Sequence, residues 1–289
     1  MQQTPSVPVQ ARSAPAQFLK TAKTLAGLLF KGLLTPFYTL YEARLAAQAH
    51  TWKIPHHIGI IMDGNRRYAK AQKLLSAVDG HSRGADKLDE VMNWLDEAGV
   101  KVVTVWIFSL DNFNRPEAEV DGLMELFEKK FTEMTSHPRI HKNQIRVRFL
   151  GQVEVLPQPV RQAIHQAEEA TAHYSRRGLN VGVAYGGREE ILDAFRGYLE
   201  AGEKQGKSVT DLRREISPQA IEPYLYTYGM PDPELIIRTS GEVRLSGFLL
   251  WQSVYSEFYF CDTNWPAFRK IDFLRALRDY NARQRRFGR

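Results

Sequence analysis

Short apolar runs alternate with amphipathic helical segments along most of this chain, and each run ends at a polar segment. The first run, 58–62, is followed at once by Asp63. The run at 102–108 is continuous and rich in β-branched residues, which is typical of a strand covered on both faces. Between them, residues 86–99 place apolar side chains at helical spacing and end at Gly99. This alternation favours a mostly parallel sheet between helical layers.

The same pattern continues to the end of the chain. Further strands are predicted at 145–150, 179–185, 234–238 and 257–261, and further helices at 120–131, 159–174, 188–202 and 271–286. The expected fold is therefore α/β, with about six mostly parallel strands covered by helices.

The first fifty residues differ from the rest. Residues 1–16 are polar and contain several prolines, so we expect a disordered tail. Residues 17–50 are dense in apolar side chains, but charged residues interrupt them before any window reaches the roughly 18 residues of a membrane span. We expect an amphipathic, membrane-associating helix. A helix that packs on the protein or on a partner, and an organellar transit peptide, are the alternatives.

Cysteine content and charge exclude several classes of protein. The single cysteine among 289 residues, Cys261, excludes a disulfide framework and a cysteine-based metal cluster, and it fits a reducing compartment. The net charge of +6 comes from the two ends, since residues 1–41 contain four cations without an acid and residues 263–289 contain eight cations against two acids. The part between them is net negative, so a body-wide nucleic-acid surface is not expected.

Polar side chains gather where the predicted strands end, which is where open parallel sheets bind ligands. The first strand is followed by Asp63, Gly64, Asn65, Arg66 and Arg67, the second by Ser109, Asn112, Arg115 and Glu119, and the fifth by Arg238, Ser240, Arg244 and Ser246.

The segment after the first strand indicates a phosphate site. Gly64 lets the backbone approach a ligand, and a helix start and Arg67 attract an anion. Because Asp63 would repel phosphate unless a cation lies between them, it suggests Mg²⁺. The arginines and serines near Arg238 form a second anion site. Each piece also has a simpler explanation: Asp-Gly-Asn is an ordinary turn, and His81 fits a histidine that caps a helix start.

Several ordered motifs together resemble the cis-prenyltransferases, the undecaprenyl diphosphate synthase family. They are HIGIIMDGNRRYAK, GHSRGADKL, TVWIFSLDNFNRPEAEVDGLMELF, LNVGVAYGGREEI, PDPELIIRTSGEVRLSGFLLWQSVYSEFYF and the final RRFG. The resemblance runs from about Ile54 to the C-terminus and implies that residues 51–289 form the catalytic domain, including the basic tail. Arg66 and Tyr68 look like the eukaryotic dehydrodolichyl diphosphate synthase branch.

The resemblance implies Mg²⁺-dependent, repeated cis condensation of isopentenyl diphosphate onto farnesyl diphosphate. The product would be a long-chain polyprenyl diphosphate of the dehydrodolichyl type, used for dolichol and glycosylation. The implied setting is peripheral contact with the cytosolic face of the endoplasmic reticulum membrane, with a lipid-droplet or organellar location as alternatives. The implied assembly is a homodimer, or a heteromer with an accessory cis-prenyltransferase-like subunit, and no nucleic acid is involved.

The resemblance also implies roles for single residues. Asp63 and Glu257 would hold the metal, and Asn112 would assist proton removal beside Ser109. Gly64, Asn65, Arg66, Arg67 and His81 would line the allylic diphosphate site, and Arg238, Arg244 and Ser246 the isopentenyl diphosphate site. Phe108, Phe113 and Arg115, with Ser109, would shape the space between them. Arg286 and Gly288 would reach the partner's site in a dimer.

Two features depart from the family pattern. Gly247 replaces the asparagine or aspartate that commonly follows the serine, and the segment before His81 is one residue longer than usual.

Two other functions compete with the leading one: a noncatalytic accessory subunit and a membrane-surface anchoring protein. The presence of Asp63, Arg67 and Arg238 argues against the accessory subunit.

Overall fold

The computed structural model describes residues 37–283. The chain divides after Gln48 into two units. The described residues of the first unit are helical and belong to α1, residues 37–49. In the described part of the chain, no helix combines the length and the apolar character that a membrane crossing requires. The predicted disordered tail, 1–16, and much of the predicted amphipathic helix, 17–50, lie outside the described residues.

The second unit is built on one six-stranded parallel sheet. Its strands are β1 (His57–Ile61), β2 (Val102–Trp106), β3 (Ile145–Leu150), β4 (Arg177–Gly182), β5 (Leu235–Arg238) and β6 (Glu257–Phe260). They lie in the order β3-β4-β2-β1-β5-β6, and every neighbouring pair is parallel. The predicted α/β class with about six mostly parallel strands is confirmed.

Helices connect these strands. They are α2 (Asn65–Ala71), α3 (Ala77–Ala98), α4 (Glu117–Met134), α5 (Pro138–Lys142), α6 (Gln158–Thr171), α7 (Gly187–Lys204), α8 (Val209–Glu215), α9 (Pro218–Ile221) and α10 (Lys270–Ala282). The last helix was predicted to extend to 286, but α10 ends at Ala282 because the backbone of Arg283, its C-cap, is extended; residues 284–286 lie outside the described range.

Helix α3 begins nine residues before the predicted start. Ser76 is its N-cap: its hydroxyl accepts from the Asp79 N–H at 3.2 Å, and the Asp79 carboxylate accepts from the Ser76 N–H at 2.8 Å. This reciprocal capping box fixes the helix start. His81 therefore lies inside α3, and its interpretation as a helix-start cap is wrong.

The strand order creates a crevice between β1 and β5. These two strands are neighbours, but the chain leaves β1 towards β2 on one side and leaves β5 towards β6 on the other. Such a reversal opens a crevice at the carboxyl edge, where open α/β sheets bind ligands. Asp63 follows β1 and Arg238 ends β5, so the fold brings the two side chains together.

Trp265 holds the loop that contains Asp63. Its side chain is fully buried, and its indole N–H donates to the Gly84 carbonyl of α3 at 2.8 Å. Its main-chain N–H donates to the Asp63 carbonyl at 3.0 Å. A single residue therefore ties the end of β1 to α3.

We expect Trp265→Ala to lower the free energy of unfolding by about 3–5 kcal/mol, because it leaves a large cavity and removes the bond to Gly84. Urea unfolding measures the change. Leu75→Ala is the control, since the Leu75 side chain is fully exposed and its loss should change stability by less than about 0.5 kcal/mol. A loss below about 1 kcal/mol for Trp265→Ala would contradict this role.

Candidate active site

A cleft of about 450 Å³ opens at the carboxyl edge of the sheet, at the crevice between β1 and β5. Many of the predicted site residues line it: Asp63, Gly64, Asn65, Arg66, Arg67, His81, Phe108, Ser109, Asn112, Arg115, Arg238 and Ser246. They come from segments far apart in the sequence, and the parallel sheet brings their strand ends to one edge.

Asp63 lies at the centre of an ionic cluster. Its carboxylate accepts from Arg67 Nη2 at 3.2 Å and from Arg238 Nη2 at 2.9 Å. Burial alone raises the pKa of Asp63, but hydrogen bonds from Arg238 and Ser240 and the charges of Arg238 and Arg67 outweigh it, so the pKa lies below its ordinary value. The carboxylate is therefore ionised at neutral pH.

Two serines hold the two guanidinium groups of this cluster. Ser240 Oγ accepts from Arg67 at 2.7 Å, and Ser246 Oγ accepts from Arg238 at 2.8 Å. The backbone angle φ is 78° at Ser240 and 52° at Ser246, in the left-handed region that non-glycine residues rarely adopt. Such strain costs about 1–3 kcal/mol per residue and is concentrated at functional sites. We call Asp63, Arg67, Arg238, Ser240 and Ser246 the ionic cluster.

Gly64 is required at its position. Its φ is 103°, and a Cβ atom there would lie 2.5 Å from Asn264 Oδ1 and 2.9 Å from Ser240 Cβ. A side chain would separate the start of α2 from the ionic cluster. The sequence interpretation of Gly64 as a point of close approach therefore has a steric basis.

Glu119 organises a second group of cations on the other side of the cleft. Its Oε1 atom lies 3.1 Å from Arg115 Nη1 and 3.5 Å from Arg66 Nε. His81 Nε2 lies 3.4 Å from Arg115 Nη1. Burial, followed by the charges of Arg115 and Arg66, lowers the pKa of His81 to about 4. His81 is therefore a neutral hydrogen-bonding group at neutral pH.

Phe113 and Arg244 do not line the cleft, and Asn65, which does, also has a structural role. Phe113 packs edge-on against Phe108, with ring centroids 4.9 Å apart, behind the cleft wall. The Arg244 side chain is 62% exposed and pairs with Glu242, while its carbonyl accepts from Arg238. Asn65 donates to the Met62 carbonyl at 3.0 Å and so anchors the start of α2.

Glu257 does not join Asp63. It lies at the amino end of β6, in register with Leu235, whereas Phe260 is in register with Arg238. Three residues of strand correspond to about 10 Å, so Glu257 lies near the opposite edge of the sheet. It pairs there with Arg283 at 2.8 Å. The expected pair of metal ligands, Asp63 and Glu257, is therefore not formed within one chain. Arg286 and Gly288 lie outside the described residues.

Several residues that hold the site residues in place could not be identified from the sequence. Glu119 and Ser240 were recognised only as polar residues that follow predicted strands. The hydrogen bonds from Trp265 and Thr239 to the main-chain carbonyl of Asp63 were not predicted. The Thr239 hydroxyl donates to the Asp63 carbonyl at 2.7 Å. The spacing of Arg115 and Glu119, four residues apart at the start of a helix, was the one available signal for an ion pair.

Gly247, the departure from the family pattern, also has a left-handed backbone, with a φ of 96°. A Cβ atom would meet only the Gly187 nitrogen, at 3.9 Å. Asparagine tolerates this conformation, so glycine preserves the same backbone path without the amide side chain.

An apolar cavity adjoins the cleft. It has a volume of about 110 Å³, and Met62, Asn65, His81 and Ile107 line both spaces. Leu88 and Met92 of α3 and Phe127 of α4 form part of its wall. Val91, Leu95 and Leu123 are buried core residues that do not line it. The helix residues that the sequence grouped together therefore divide between core and cavity.

Ion pairs connect helix α3, on one side of the apolar cavity, to residues of α4 and α5 on the other. Arg139 Nη1 lies 3.3 Å from Asp89 of α3, and Lys130 of α4 lies 3.4 Å from Asp86 of α3. Asp89, Lys130 and Arg139 also line the cavity. The cavity thus adjoins the cleft, and ion pairs between its walls border part of it.

The donor atoms in the cleft fit a metal ion that is bound together with substrate. Among residues 37–283, no group of three or more His, Cys, Asp or Glu side chains is arranged to hold a metal by itself. Asp63 is the predicted ligand that lies in the cleft, and Mg²⁺ is commonly held by one or two carboxylates plus substrate phosphates. The residues present are compatible with that mode of binding.

A model of the family described as "Putative undecaprenyl diphosphate synthase" matches residues 61–288. The isoprenyl transferase of Thermus thermophilus is 52% identical over 257 residues, which cover 89% of this chain and 97% of that protein. The tritrans,polycis-undecaprenyl-diphosphate synthase (geranylgeranyl-diphosphate specific) of Methanopyrus kandleri is 49% identical over 256 residues, 89% of this chain and 93% of that protein.

Two solved structures share the fold. Lavandulyl diphosphate synthase from Lavandula x intermedia, in complex with dimethylallyl diphosphate, has a TM-score of 0.73 at 34% identity and covers 82% of this chain and 99% of its own. A probable undecaprenyl diphosphate synthase from Campylobacter jejuni has a TM-score of 0.65 at 28% identity and covers 82% and 100%.

The neutral state of His81 can be tested by NMR. In the substrate-free protein, we expect the ring signals of His81 to titrate with a pKa of about 4, because burial and two neighbouring guanidiniums oppose its protonation. His81→Gln identifies the signal by its disappearance. A titration at or above the ordinary pKa of about 6.5 would contradict this and make His81 a cationic ligand.

Proposed function

The chain belongs to the undecaprenyl diphosphate synthase family of prenyltransferases, and we propose that it extends an allylic diphosphate by successive cis condensations with isopentenyl diphosphate. One observation carries this proposal: the ionic cluster lies in a cleft that adjoins an apolar cavity. Polar and apolar spaces in this order suit a molecule with a diphosphate head and a hydrocarbon tail.

In the proposed reaction, the arginines of the cleft stabilise the departing diphosphate. The allylic carbon–oxygen bond breaks, a bond forms to the terminal alkene carbon of isopentenyl diphosphate, and a proton leaves the condensed product. Negative charge develops on the leaving group, and Arg67 and Arg238 are already fixed by Asp63, Ser240 and Ser246. Donors that are fixed in advance stabilise such charge without reorganising in the transition state.

Asp63, together with diphosphate oxygens, would hold Mg²⁺, as the family resemblance implies. When bound, the ion would neutralise charge on the leaving diphosphate. Asp63 would then be shared between the ion and the guanidinium of Arg67, which Ser240 Oγ holds independently at 2.7 Å.

The opposite wall of the cleft would also contact substrate. Arg115 and Arg66 supply positive charge, and neutral His81 supplies a hydrogen bond. Asn112 and Ser109 lie beside them, where we propose that Asn112 assists removal of the proton. In the family resemblance, Arg66, Arg67 and His81 line the allylic diphosphate site and Arg238 and Ser246 the isopentenyl diphosphate site, and this division stays a prediction.

The apolar cavity would receive the growing chain. Each buried methylene contributes about 0.8 kcal/mol, so each five-carbon unit would gain roughly 3–4 kcal/mol. At about 110 Å³ the cavity is below the range of drug-sized sites, about 300–1,000 Å³, so α3 and α4 must move apart as the chain grows. A long product would leave slowly unless a membrane receives it, which fits peripheral membrane contact.

The starter we propose is farnesyl diphosphate, with a long-chain polyprenyl diphosphate as product. The dehydrodolichyl type rests on Arg66 and Tyr68 alone, whereas the relatives named above are bacterial and archaeal isoprenyl transferases and undecaprenyl-diphosphate synthases. Dolichol synthesis and the endoplasmic reticulum location stay predictions that depend on that branch.

We also propose a homodimer, because the tail motif at Arg286 and Gly288 would serve a partner's site. The position of Glu257, far from Asp63 of its own chain, is compatible with a role across an interface. A heteromer with an accessory subunit remains the alternative assembly.

Purified protein should condense radiolabelled isopentenyl diphosphate with farnesyl diphosphate in the presence of Mg²⁺, and chelation should abolish the reaction. Asp63→Asn should lower kcat at least about 100-fold, because it removes the carboxylate that orients both guanidiniums and would hold the ion. Asp111→Asn is the matched control, since Asp111 is an exposed carboxylate on the same rim. Wild-type turnover by Asp63→Asn, or no condensation by the wild type, would contradict the proposal.

Product length should depend on the apolar cavity. Ala85 of α3 lines this cavity, and Ala85→Leu should shorten the products because the larger side chain occupies the space of the tail. Glu90→Leu is the control, because Glu90 lies on the exposed face of the same helix. Reversed-phase chromatography of the products compares the two variants. An unchanged length distribution for Ala85→Leu would place the tail elsewhere.

A further inference from the structure

A second concave region lies at the amino edge of the sheet, opposite the catalytic cleft. It has a volume of about 400 Å³, within the range of small-molecule sites. The edge strand β3, the residues before β2 and β4, and residues 229–231 surround it. We call it the amino-edge cavity, and it shares no lining residue with the cleft.

The lining of this cavity is cationic. Arg146 and Arg148 lie two residues apart in β3, so their side chains share one face of the sheet. Lys101 and Arg176 line the same cavity, and no aspartate or glutamate does. Within residues 37–283 these four side chains form no ion pair or hydrogen bond. A fifth cation, Arg177, is bound to Asp96.

The electrostatics at Arg148, the most buried of these four cations, favour a counter-charge. Arg148 is partly buried; burial first, and the charge of Arg146 second, lower the pKa of its guanidinium below the ordinary value. Grouped like charges repel one another, and the acid that partly offsets this at Arg148, Glu168, also accepts from the Phe149 N–H at 2.8 Å. A bound anion would remove this repulsion.

The fold does not require a glycine at position 178, which lies at the floor of the cavity. Gly178 of β4 lies in register between Arg146 of β3 and Val102 of β2. A Cβ atom at Gly178 would lie 3.5 Å from its nearest neighbour, an ordinary contact, and the backbone there is not left-handed. Glycine at this position therefore leaves space beside Arg146 that a side chain would fill.

A further cavity of about 430 Å³ continues from this one and shares Arg146, Arg148 and Met230 with it. It adds the apolar surfaces of Phe149, Leu150 and Tyr226, together with the side chains of His165, Glu168 and Glu169. The combined surface offers guanidinium groups at one end and both apolar and acidic groups at the other, so we place the anion in the amino-edge cavity and the organic part of a ligand beside Phe149 and Tyr226.

We propose that the amino-edge cavity binds a phosphorylated small molecule with two or more negative charges, at a site separate from the catalytic cleft. Guanidinium groups match phosphate oxygens in forked geometry, and four unpaired cations balance a diphosphate. The concave shape and the net negative charge of the surrounding chain favour a small ligand over nucleic acid. This site does not depend on the proposed function.

Calorimetric titration of the full chain with inorganic pyrophosphate tests the site. Arg146→Gln/Arg148→Gln should bind one equivalent fewer than the wild type, or bind that equivalent at least tenfold more weakly, since each charged hydrogen bond lost accounts for such a factor. Condensing activity without added pyrophosphate should not change. The matched control is Arg213→Gln/Arg214→Gln, which removes the same charge from α8.

The proposal is overturned if the wild type binds no pyrophosphate, if Arg146→Gln/Arg148→Gln binds it as the wild type does, or if the control variant loses the same affinity. Thermal unfolding of all three proteins shows whether each is folded. If the wild type shows no condensing activity but binds pyrophosphate in a way that depends on Arg146 and Arg148, the proposed function fails while this site stands.

Discussion

The contact between Asp63 and Arg238 is the interaction on which the site depends. It joins the ends of two neighbouring strands from which the chain departs in opposite directions, so it lies in the crevice that this reversal opens. Arg238 is 5% exposed and its charge requires a partner. Asp63 supplies that partner and positions Arg67 as well. A single carboxylate therefore sets the direction of two guanidiniums towards the cleft.

Helix α3 supports the loop that contains Asp63 and also forms part of the wall of the apolar cavity. Helix α3 receives the Trp265 hydrogen bond at Gly84, close to the loop of Asp63, and its next turns provide Leu88 and Met92 to the cavity wall. Its outer residues Asp86 and Asp89 pair with Lys130 and Arg139. Movement of α3 would thus change the space for a tail while the strand ends hold the head in place.

Much of the fold and the rim of the site follow from sequence periodicity. Continuous apolar runs locate the central strands β1 and β2, which are covered on both faces, and the alternation of apolar residues with Arg146 and Arg148 locates the edge strand β3. The polar strand ends locate Asp63, Arg67 and Arg238 because parallel strands end at one edge. Periodicity could not locate the start of α3, since its first turns contain glycine and serine and depend on the cap at Ser76.

Contacts between distant segments could not be foreseen from one sequence. Glu257 was assigned to the metal by resemblance, but strand register places it at the other edge of the sheet. Trp265 has an ordinary sequence context and gains its role from contact with Gly84 and Asp63. The neutral state of His81 likewise follows from burial beside Arg115, which sequence spacing does not reveal.

The most direct measurement is the structure of the protein bound to a thio analogue of farnesyl diphosphate, whose carbon–sulfur bond resists cleavage, with Mg²⁺ present. The account predicts the diphosphate in the cleft beside Asp63, Arg67 and Arg238, with the hydrocarbon tail between α3 and α4. A tail that lies outside these helices, or a diphosphate bound away from the ionic cluster, would contradict it.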